Sequence, residues 1–193
     1  MNEITKVLNP DEKVLWSGNP KKAPFLFSFA LLGLFFGAII YFSGLSYSIS
    51  KPEYYILFSF LAILAFALFF FVGYLYYRVT YYAITDRRVI LQSGIFGRSY
   101  KSIDFDKIQN VSVVIGLFNY IFRTGTIKIF SGEIGSSGGN NAGVQPIFDQ
   151  IAFIQNPDST LRILQEALSH KKEAVVNVLE NIDTKIPDNN GKV

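Results

Sequence analysis

Two stretches of the chain carry no charged side chain, and only a short segment separates them. They cover residues 23–50 and 54–77, with Lys51 and Glu53 between them. A helix rises about 1.5 Å per residue, so about 20 apolar residues cross the hydrocarbon core of a bilayer. Each stretch meets this length. We therefore predict a transmembrane helical hairpin at residues 23–77, with spans at about 24–43 and 54–77.

Basic residues flank the predicted hairpin on both outer sides, whereas its turn offers only Lys51. They are Lys6, Lys13, Lys21 and Lys22 before the first span, and Arg78, Arg87 and Arg88 after the second. Cytoplasmic segments next to spans are enriched in Lys and Arg. The pattern predicts a two-span protein of the cell membrane with both termini in the cytoplasm. The polar first 22 residues do not resemble a cleaved signal peptide.

Neither stretch contains the ionisable residues that proton relays and ion pathways need, so the spans are predicted to serve as anchors. Gly33 and Gly37 form a G-x-x-x-G pair that lets another helix approach closely. Packing within the hairpin is favoured over dimerisation. Trp16 lies shortly before the first span. Its predicted role is that of an anchor at the headgroup level, and packing onto the soluble domain is the alternative.

The pattern changes after Arg78 to short alternating segments separated by turn residues. Strands are predicted at residues 79–84, 89–92, 99–105, 111–115, 125–131 and 145–153. Residues 132–143 are rich in Gly, Ser and Asn, and we predict a flexible hairpin tip there rather than a strand. Strands spaced at roughly 8–12 residues are typical of a small antiparallel sandwich or barrel.

A helix is predicted near the C-terminus. Asn156 is a suitable N-cap, Pro157 suits the first helical position, and Asp158 complements the helix dipole. The apolar positions Leu161, Leu164, Leu168, Val175, Leu179 and Ile182 follow helical spacing, with a break at Lys171 and Lys172. Residues 175–182 are either the end of a capping helix or an exposed extension that docks a partner. The polar tail, residues 183–193, is predicted to be disordered.

Composition excludes several kinds of site. The chain has no cysteine, which excludes disulfides, thiolate metal sites and cysteine nucleophiles. The one histidine, His170, lies on a solvated face of the predicted helix. The net charge of +3 is too small to indicate nucleic-acid binding. Because no nucleophile–base pair or metal-ligand cluster is apparent, we predict neither enzymatic activity nor a cofactor.

Five segments narrow the choice of fold. In chain order they are EKVLWSGNP (12–20), YYAITDRRVIL (81–91), FDKIQNVSV (105–113), IFRTGTI (121–127) and IQNP (154–157). Together they resemble the prokaryotic membrane-flanked PH-like family, the bacterial and archaeal pleckstrin-homology domains once catalogued as a domain of unknown function. The resemblance covers about residues 10–170. It implies a seven-stranded, strongly bent antiparallel sheet or barrel capped by a C-terminal α-helix.

The chain is therefore expected to contain an N-terminal cytoplasmic segment (1–22), the transmembrane hairpin (23–77) and a PH-like domain (78–182). Four basic residues are candidate contacts to lipid or to a partner: Arg87, Arg88, Arg98 and Lys101. PH-like domains that bind phosphoinositides use basic residues near the first hairpin, and each basic residue contributes about 1 kcal/mol near an anionic leaflet. The neighbouring Asp86 and the short turn favour a solvated turn instead.

The leading hypothesis is a non-enzymatic, membrane-anchored module that recruits or organises a protein partner at the cytoplasmic face, with homo-oligomerisation as a variant. One alternative is a sensor of anionic lipid headgroups, and another is an accessory subunit of a larger membrane complex. The lipid bilayer is an expected partner, and nucleic acid is not. The fold implied by the resemblance hosts lipid binding, peptide binding and scaffolding, so fold alone does not choose among them.

Overall fold

The computed structural model describes residues 7–48, 53–95, 97, 99–136 and 144–183. Its helices and strands, in chain order, are β1 (Val14–Gly18), α1 (Lys22–Ser48), α2 (Tyr54–Val79), β2 (Tyr81–Thr85), β3 (Arg88–Ser93), β4 (Ser99–Asp104), a short 3-10 helix (Phe105–Lys107), β5 (Asn110–Val114), α3 (Leu117–Ile121), β6 (Gly125–Ser136), β7 (Val144–Ile154) and α4 (Pro157–Asp183). Arg98 and the tail after Asp183 lie outside the described residues.

Helices α1 and α2 form an antiparallel hairpin whose side chains mostly face outward. Both are long and apolar enough to cross a membrane, and they contain the predicted spans. A helix of the same composition in the core of a soluble protein would be mostly buried. Only 17% of the most apolar window of α1 and 6% of that of α2 is buried. The exposed apolar surface therefore requires an apolar environment.

Small residues allow α1 and α2 to approach closely. Gly33 lies against Phe66 and Phe69, and a Cβ added at Gly33 would lie 3.0 Å from the Cβ of Phe69. A Cβ added at Gly37 would lie 3.1 Å from the backbone carbonyl oxygen of Ala62. The structure thus places both glycines of the G-x-x-x-G pair in the interface between the two helices of the hairpin.

The remaining elements form two antiparallel sheets and a terminal helix. One sheet has four strands in the order β1-β2-β3-β4, and the other has three in the order β5-β6-β7. Their facing sides and α4 enclose one core, whose fully buried members include Ile84, Val89, Ile127, Ile129, Ile151 and Leu164. The seven strands and terminal helix confirm the architecture that the resemblance implies.

The first strand of the domain precedes the helical hairpin in the sequence. β1 pairs with β2, with Val14 opposite Thr85 and Gly18 opposite Tyr82. The chain therefore leaves the sheet after β1, forms α1 and α2, and returns directly into β2. The prediction that residues 1–22 form a separate segment was therefore wrong for β1, and the insertion was not predicted. Trp16 packs, partly buried, against the core, which is its alternative predicted role, and its headgroup role stays a prediction.

β6 extends further than the sequence analysis predicted. Gly132 has a φ of 81°, and the β6–β7 register shifts between Phe130 and Ile134. Glycine tolerates this positive φ and so permits the irregularity, after which Ile134 pairs with Pro146. The prediction that residues 132–143 form no strand was therefore wrong for residues 132–136. Residues 137–143 lie outside the described part of the chain.

The domain has two ends that differ in their distance from the helices. The hairpin end contains the start of β2, which follows α2 almost directly, and Phe153 of β7, whose carbonyl accepts a hydrogen bond of 2.7 Å from the backbone N–H of Lys21. β2 runs away from the helices for about 16 Å, at 3.3 Å per residue. Its turn (Asp86 and Arg87) and the 3-10 helix after β4 therefore lie at the far end. α4 starts at the hairpin end and runs to the far end.

Candidate functional site

Arg88 is held inside the domain by its partners. It is the first residue of β3 rather than part of the predicted turn. Its guanidinium makes two hydrogen bonds to the carboxylate of Glu12, at 2.8 Å from Nε to Oε1 and 2.6 Å from Nη2 to Oε2. Nη2 also donates to the carbonyl of Val7 at 3.1 Å. Such a bidentate pair is geometrically specific, and it occupies Nε and Nη2, while Nη1 donates to the hydroxyl of Ser102 at 3.4 Å.

The Glu12–Arg88 pair connects the N-terminal segment to the first hairpin of the sheet. The Glu12 side chain is fully buried, and that of Arg88 is 18% exposed. The hydrogen bond from Arg88 lowers the pKa of Glu12 to about 2, against the opposing effect of burial. The backbone N–H of Asn9 and the hydroxyl of Thr85 also favour the ionised carboxylate. We conclude that Arg88 holds β1 in place.

The four basic candidates do not form one cluster among the described residues. Arg87 is exposed in the turn at the far end of the domain. Lys101 lies three pairs along the β3–β4 ladder from Arg88, opposite Leu91, toward the hairpin end. Arg98 lies outside the described residues. Strand β2 lies between Arg87 and the helices. The sequence does not reveal this distance, because Arg87 is close to Arg78 along the chain.

Lys101 is paired with two carboxylates. Its Nζ lies 2.7 Å from Oε2 of Glu133 and 2.9 Å from Oδ2 of Asp149, so it bridges β4 to β6 and β7. Partial burial opposes the charge of Lys101, but the hydrogen bonds that its ammonium donates to the two carboxylates outweigh this effect and raise the pKa of Lys101. The cluster carries one positive and two negative charges. It therefore repels an anionic headgroup more than it attracts one.

A cleft of about 490 Å³ lies beside this cluster, between the domain and the helices. Its walls come from the hairpin at Phe25, Phe29, Tyr76 and Thr80, and from the sheets at Tyr82, Leu91, Gln92, Ser93, Lys101, Phe148, Asp149 and Gln150. Except for Lys101, the sequence analysis selected none of these residues as site candidates. They come from six separate elements, and only the topology of the sheets brings them together.

α4 buries one face along its first half, and its second half is exposed. Thr160, Leu164 and Ala167 are buried against the sheets. From Lys172 to Glu180 every described residue is exposed. We call residues 172–183 the α4 extension. At 1.5 Å per residue it projects about 18 Å at the far end of the domain.

The α4 extension carries apolar residues into solvent. They are Val175, Val176, Val178 and Leu179. A groove of about 410 Å³ lies between the base of the extension and the 3-10 helix, with Phe105, Ile108 and Leu168 lining its apolar part. Lys171 and Lys172 line its rim, and Nζ of Lys171 lies 2.7 Å from Oδ2 of Asp106. The apolar stripe that packs into the core along the first half of α4 thus continues as an exposed apolar surface on the α4 extension.

Metal chemistry has no support among the described residues, where no group of three or more His, Asp or Glu side chains is arranged to hold an ion. His170 is exposed on α4, with its Nδ1 4.0 Å from a carboxylate oxygen of Glu173. The surfaces described above offer packing, charge and hydrogen bonds to a bound molecule.

Comparison with known proteins identifies one family. The sequence model described as "Bacterial PH domain" matches residues 25–166, which include most of α1, all of α2 and all the strands except β1. No curated protein and no solved structure matches the chain significantly.

Proposed function

Because the chain belongs to the bacterial PH domain family, we propose that it is a membrane-anchored binding module that holds a protein partner at the cytoplasmic face of the membrane. PH domains are generally non-catalytic binding modules. Fold alone leaves the bound molecule open. Its chemical class has to be argued from the surfaces that this chain presents.

The α4 extension carries this proposal. A helix in water normally turns its apolar side chains to the protein and its polar ones to solvent. Val176 and Leu179 are exposed instead, on a part of α4 where every described residue from Lys172 to Glu180 is exposed. Exposed apolar stripes of this kind are typical of surfaces that receive an amphipathic helix. The extension lies at the far end of the domain, where a cytoplasmic protein meets no obstruction from the bilayer.

We assign this surface to a helix of another protein rather than to a second copy of the chain. A coiled coil generally needs three or four sustained heptads, and the α4 extension provides fewer than two. The groove at its base supplies additional depth, since Phe105 and Ile108 can receive apolar side chains. Lys172 lies at its rim beside the Lys171–Asp106 pair, and it favours a partner helix with an acidic residue beside its apolar stripe.

Anchoring by α1 and α2 completes the proposal. The basic residues that flank the hairpin, including Lys21, Lys22 and Arg78, favour the cytoplasm for both termini and for the domain. Lys22 and Arg78 lie 5.9 and 6.0 Å from the ring centre of Tyr74, so positive charge and an aromatic ring meet at the base of the hairpin. This combination is typical of a membrane–water boundary.

Site-specific photocrosslinking in cells tests the partner. We expect Val176→p-benzoylphenylalanine to give a discrete adduct with another protein when the full-length chain is in its membrane. The matched control is Gln165→p-benzoylphenylalanine, which places the same probe on an exposed position in the first half of α4. A Leu179→Asp substitution added to the Val176 probe should remove the adduct, since the carboxylate opposes apolar packing.

The adduct's mass separates the alternatives. An adduct with twice the mass of the chain would show that the surface binds a second copy of the chain rather than another protein. Equal adducts at Val176 and Gln165, or adducts that persist with Leu179→Asp, would contradict a specific surface on the α4 extension.

A headgroup sensor receives less support from the contacts. Arg88 is occupied by Glu12, and Lys101 by Glu133 and Asp149. If the cleft nevertheless binds an anionic headgroup, soluble glycerol phosphate should bind the full chain in an uncharged detergent, and Lys101→Gln should weaken that binding. We expect no saturable binding of glycerol phosphate in this experiment.

A further inference from the structure

A short segment between β5 and β6 exposes its apolar side chains and buries a polar one. Residues 114–122 contain no charge, and seven of the nine are apolar or aromatic. Leu117 and Tyr120 are 73% and 75% exposed, and Ile115 and Ile121 are also exposed. The alternating pattern predicts that β5 includes Ile115, but β5 ends at Val114. We call residues 115–122 the α3 segment.

The one buried side chain of α3 is that of Asn119. Its Oδ1 accepts a hydrogen bond from the hydroxyl of Thr124 at 3.2 Å, and its Nδ2 donates to the carbonyl of Val114 at 3.3 Å. These bonds hold the segment to the start of β6, so the exposed residues belong to a built turn rather than to an unfolded one. Its polar side chain is buried and its apolar side chains are exposed, as expected for a segment that lies in an apolar environment.

The α3 segment lies against the base of α1. The ring of Phe27 lies 5.8 Å from that of Phe118 and 5.5 Å from that of Phe122, measured between centroids. Nζ of Lys21 donates to the carbonyl of Phe122 at 2.9 Å. Contact therefore runs from the residue before α1 to its second turn.

These contacts set the depth of the segment relative to the hairpin. Phe27 lies five residues beyond Lys22, the first residue of α1, which corresponds to about 7 Å along the helix axis. An apolar face buried by 5–10 Å is the depth at which interfacial helices lie in a bilayer. Basic residues Lys21, Lys22 and Arg123 adjoin the segment, at the level where headgroups would lie.

We infer that the α3 segment is a third membrane contact, which inserts Leu117, Tyr120 and Ile121 into the interfacial region of the same leaflet that the domain faces. The occupant of this surface is lipid because the patch is continuous with α1, whose own Phe27 touches it. A protein partner at this position would have to displace lipid from the hairpin. The inference rests on the membrane anchoring proposed above and is independent of the protein partner.

Insertion has a structural consequence. The chain passes from the domain into the hairpin beside Lys21 and returns to the domain at Thr80, and these two connections fix the domain to the bilayer. The α3 segment adds a contact with the bilayer on one side of them. The domain is then held at a defined tilt. Because the inserted residues are uncharged, the contact should persist in neutral lipid and at high salt, unlike a contact made by basic residues alone.

Nitroxide accessibility in proteoliposomes tests this inference. The chain has no cysteine, so single-cysteine variants can be labelled at one site each. The full chain would be reconstituted in phosphatidylcholine and labelled at Leu117→Cys or Tyr120→Cys. Phe60→Cys in α2 is the lipid-facing control, and Glu173→Cys on the α4 extension is the aqueous control.

We expect the labels at positions 117 and 120 to collide more with oxygen than with a water-soluble nickel complex, as the label at position 60 does. The label at 173 should show the reverse. Accessibility to nickel at 117 and 120 equal to that at 173 would overturn the inference. Spin–spin broadening of the label at position 117 would overturn the inference in favour of contact between two copies of the chain. If the label at position 60 collided more with nickel than with oxygen, membrane anchoring itself would be contradicted.

The nitroxide itself is apolar, so a second measurement uses a natural amino-acid side chain as the probe. Trp16→Phe removes the one tryptophan, and Tyr120→Trp in that background places a new one in the α3 segment. We expect brominated lipids to quench its fluorescence and high salt to leave the quenching unchanged. Leu117→Lys should reduce the quenching, whereas Lys172→Leu on the α4 extension should not change it. Loss of the quenching at high salt would overturn an apolar contact.

Discussion

The hairpin end and the far end of the domain both expose apolar side chains, but their surroundings differ. At the hairpin end, the α3 segment lies beside α1, and a polar Asn119 is buried beneath it. At the far end, the α4 extension leaves the sheets, and the nearest charged groups form pairs such as Lys171 with Asp106. An exposed apolar residue therefore does not identify its partner. The elements next to the exposed residue decide whether a lipid or a protein contact is expected there.

The two ends also secure β1 differently. At the far end, the carboxylate of Glu12 binds Arg88. At the hairpin end, Nδ2 of Asn19 donates to the carbonyl of Thr80 at 3.2 Å, which joins the two places where the chain passes between domain and helices. β1 is thus held by a buried charge at one end and by hydrogen bonds at the other. Changes at each end should show which attachment the fold depends on more.

The largest effect is expected from breaking the pair at the far end. Glu12→Ala leaves the Arg88 guanidinium without its carboxylate, and removing one partner of a buried pair costs about 3–5 kcal/mol. Denaturant unfolding of the full chain in detergent, followed by Trp16 fluorescence, measures the free energy of unfolding. Glu173→Ala is the matched control, since its carboxylate is exposed and should change stability by less than about 0.5 kcal/mol.

A double substitution, Glu12→Leu with Arg88→Met, should recover most of the loss because neither charge remains unpaired. If Glu12→Ala proves as mild as Glu173→Ala, the far end does not hold β1 through this pair.

Acid should produce a smaller version of the same effect. The pKa of Glu12 is lowered from 4.5 to about 2 by its hydrogen bond with Arg88. A lowered pKa means that the stabilisation is fully present above about pH 4.5 and is lost as the pH falls through about 2. The difference in unfolding free energy between the wild type and Glu12→Gln should therefore shrink across this window. A difference independent of pH would contradict the ionised pair.

Sequence reasoning found the elements of this molecule better than it found their partners. The spans, six of the strands and the start of α4 at Pro157 follow from local patterns of apolar, turn and capping residues. β1 was missed because Val14–Gly18 is separated from its partner strand by both long helices, and pairing across such a distance leaves no local pattern.

The basic candidates show the same limit. Arg87 and Arg88 are adjacent in sequence, yet one is exposed and the other pairs with Glu12, 76 positions away. The cleft residues come from several elements, so no spacing rule collects them. The α3 segment did leave a signal, namely an uncharged apolar run in a connection that would ordinarily be polar.

At the hairpin end, the corresponding stability test is Asn119→Leu. It removes the hydrogen bonds that the Asn119 side chain makes with the hydroxyl of Thr124 and the carbonyl of Val114, at a cost of about 1–3 kcal/mol. Asn110→Leu is the control, because Asn110 is an exposed residue of β5. The unfolding measurement described for Glu12 applies. An unchanged stability would mean that Asn119 does not hold the α3 segment in place.

The smallest effect is expected at the base of the α4 extension, from Lys171→Ala. The side chains of Lys171 and Asp106 are 30% and 71% exposed, and ion pairs exposed to this degree contribute less than about 1 kcal/mol. High salt should remove even that contribution, since the pair is screened by solvent ions. The measurement is again the free energy of unfolding, at low and high salt, with Lys172→Ala as the control. A loss comparable to that of Glu12→Ala would mean that charge, rather than the packing of Leu164 and Ala167, fixes α4 to the domain.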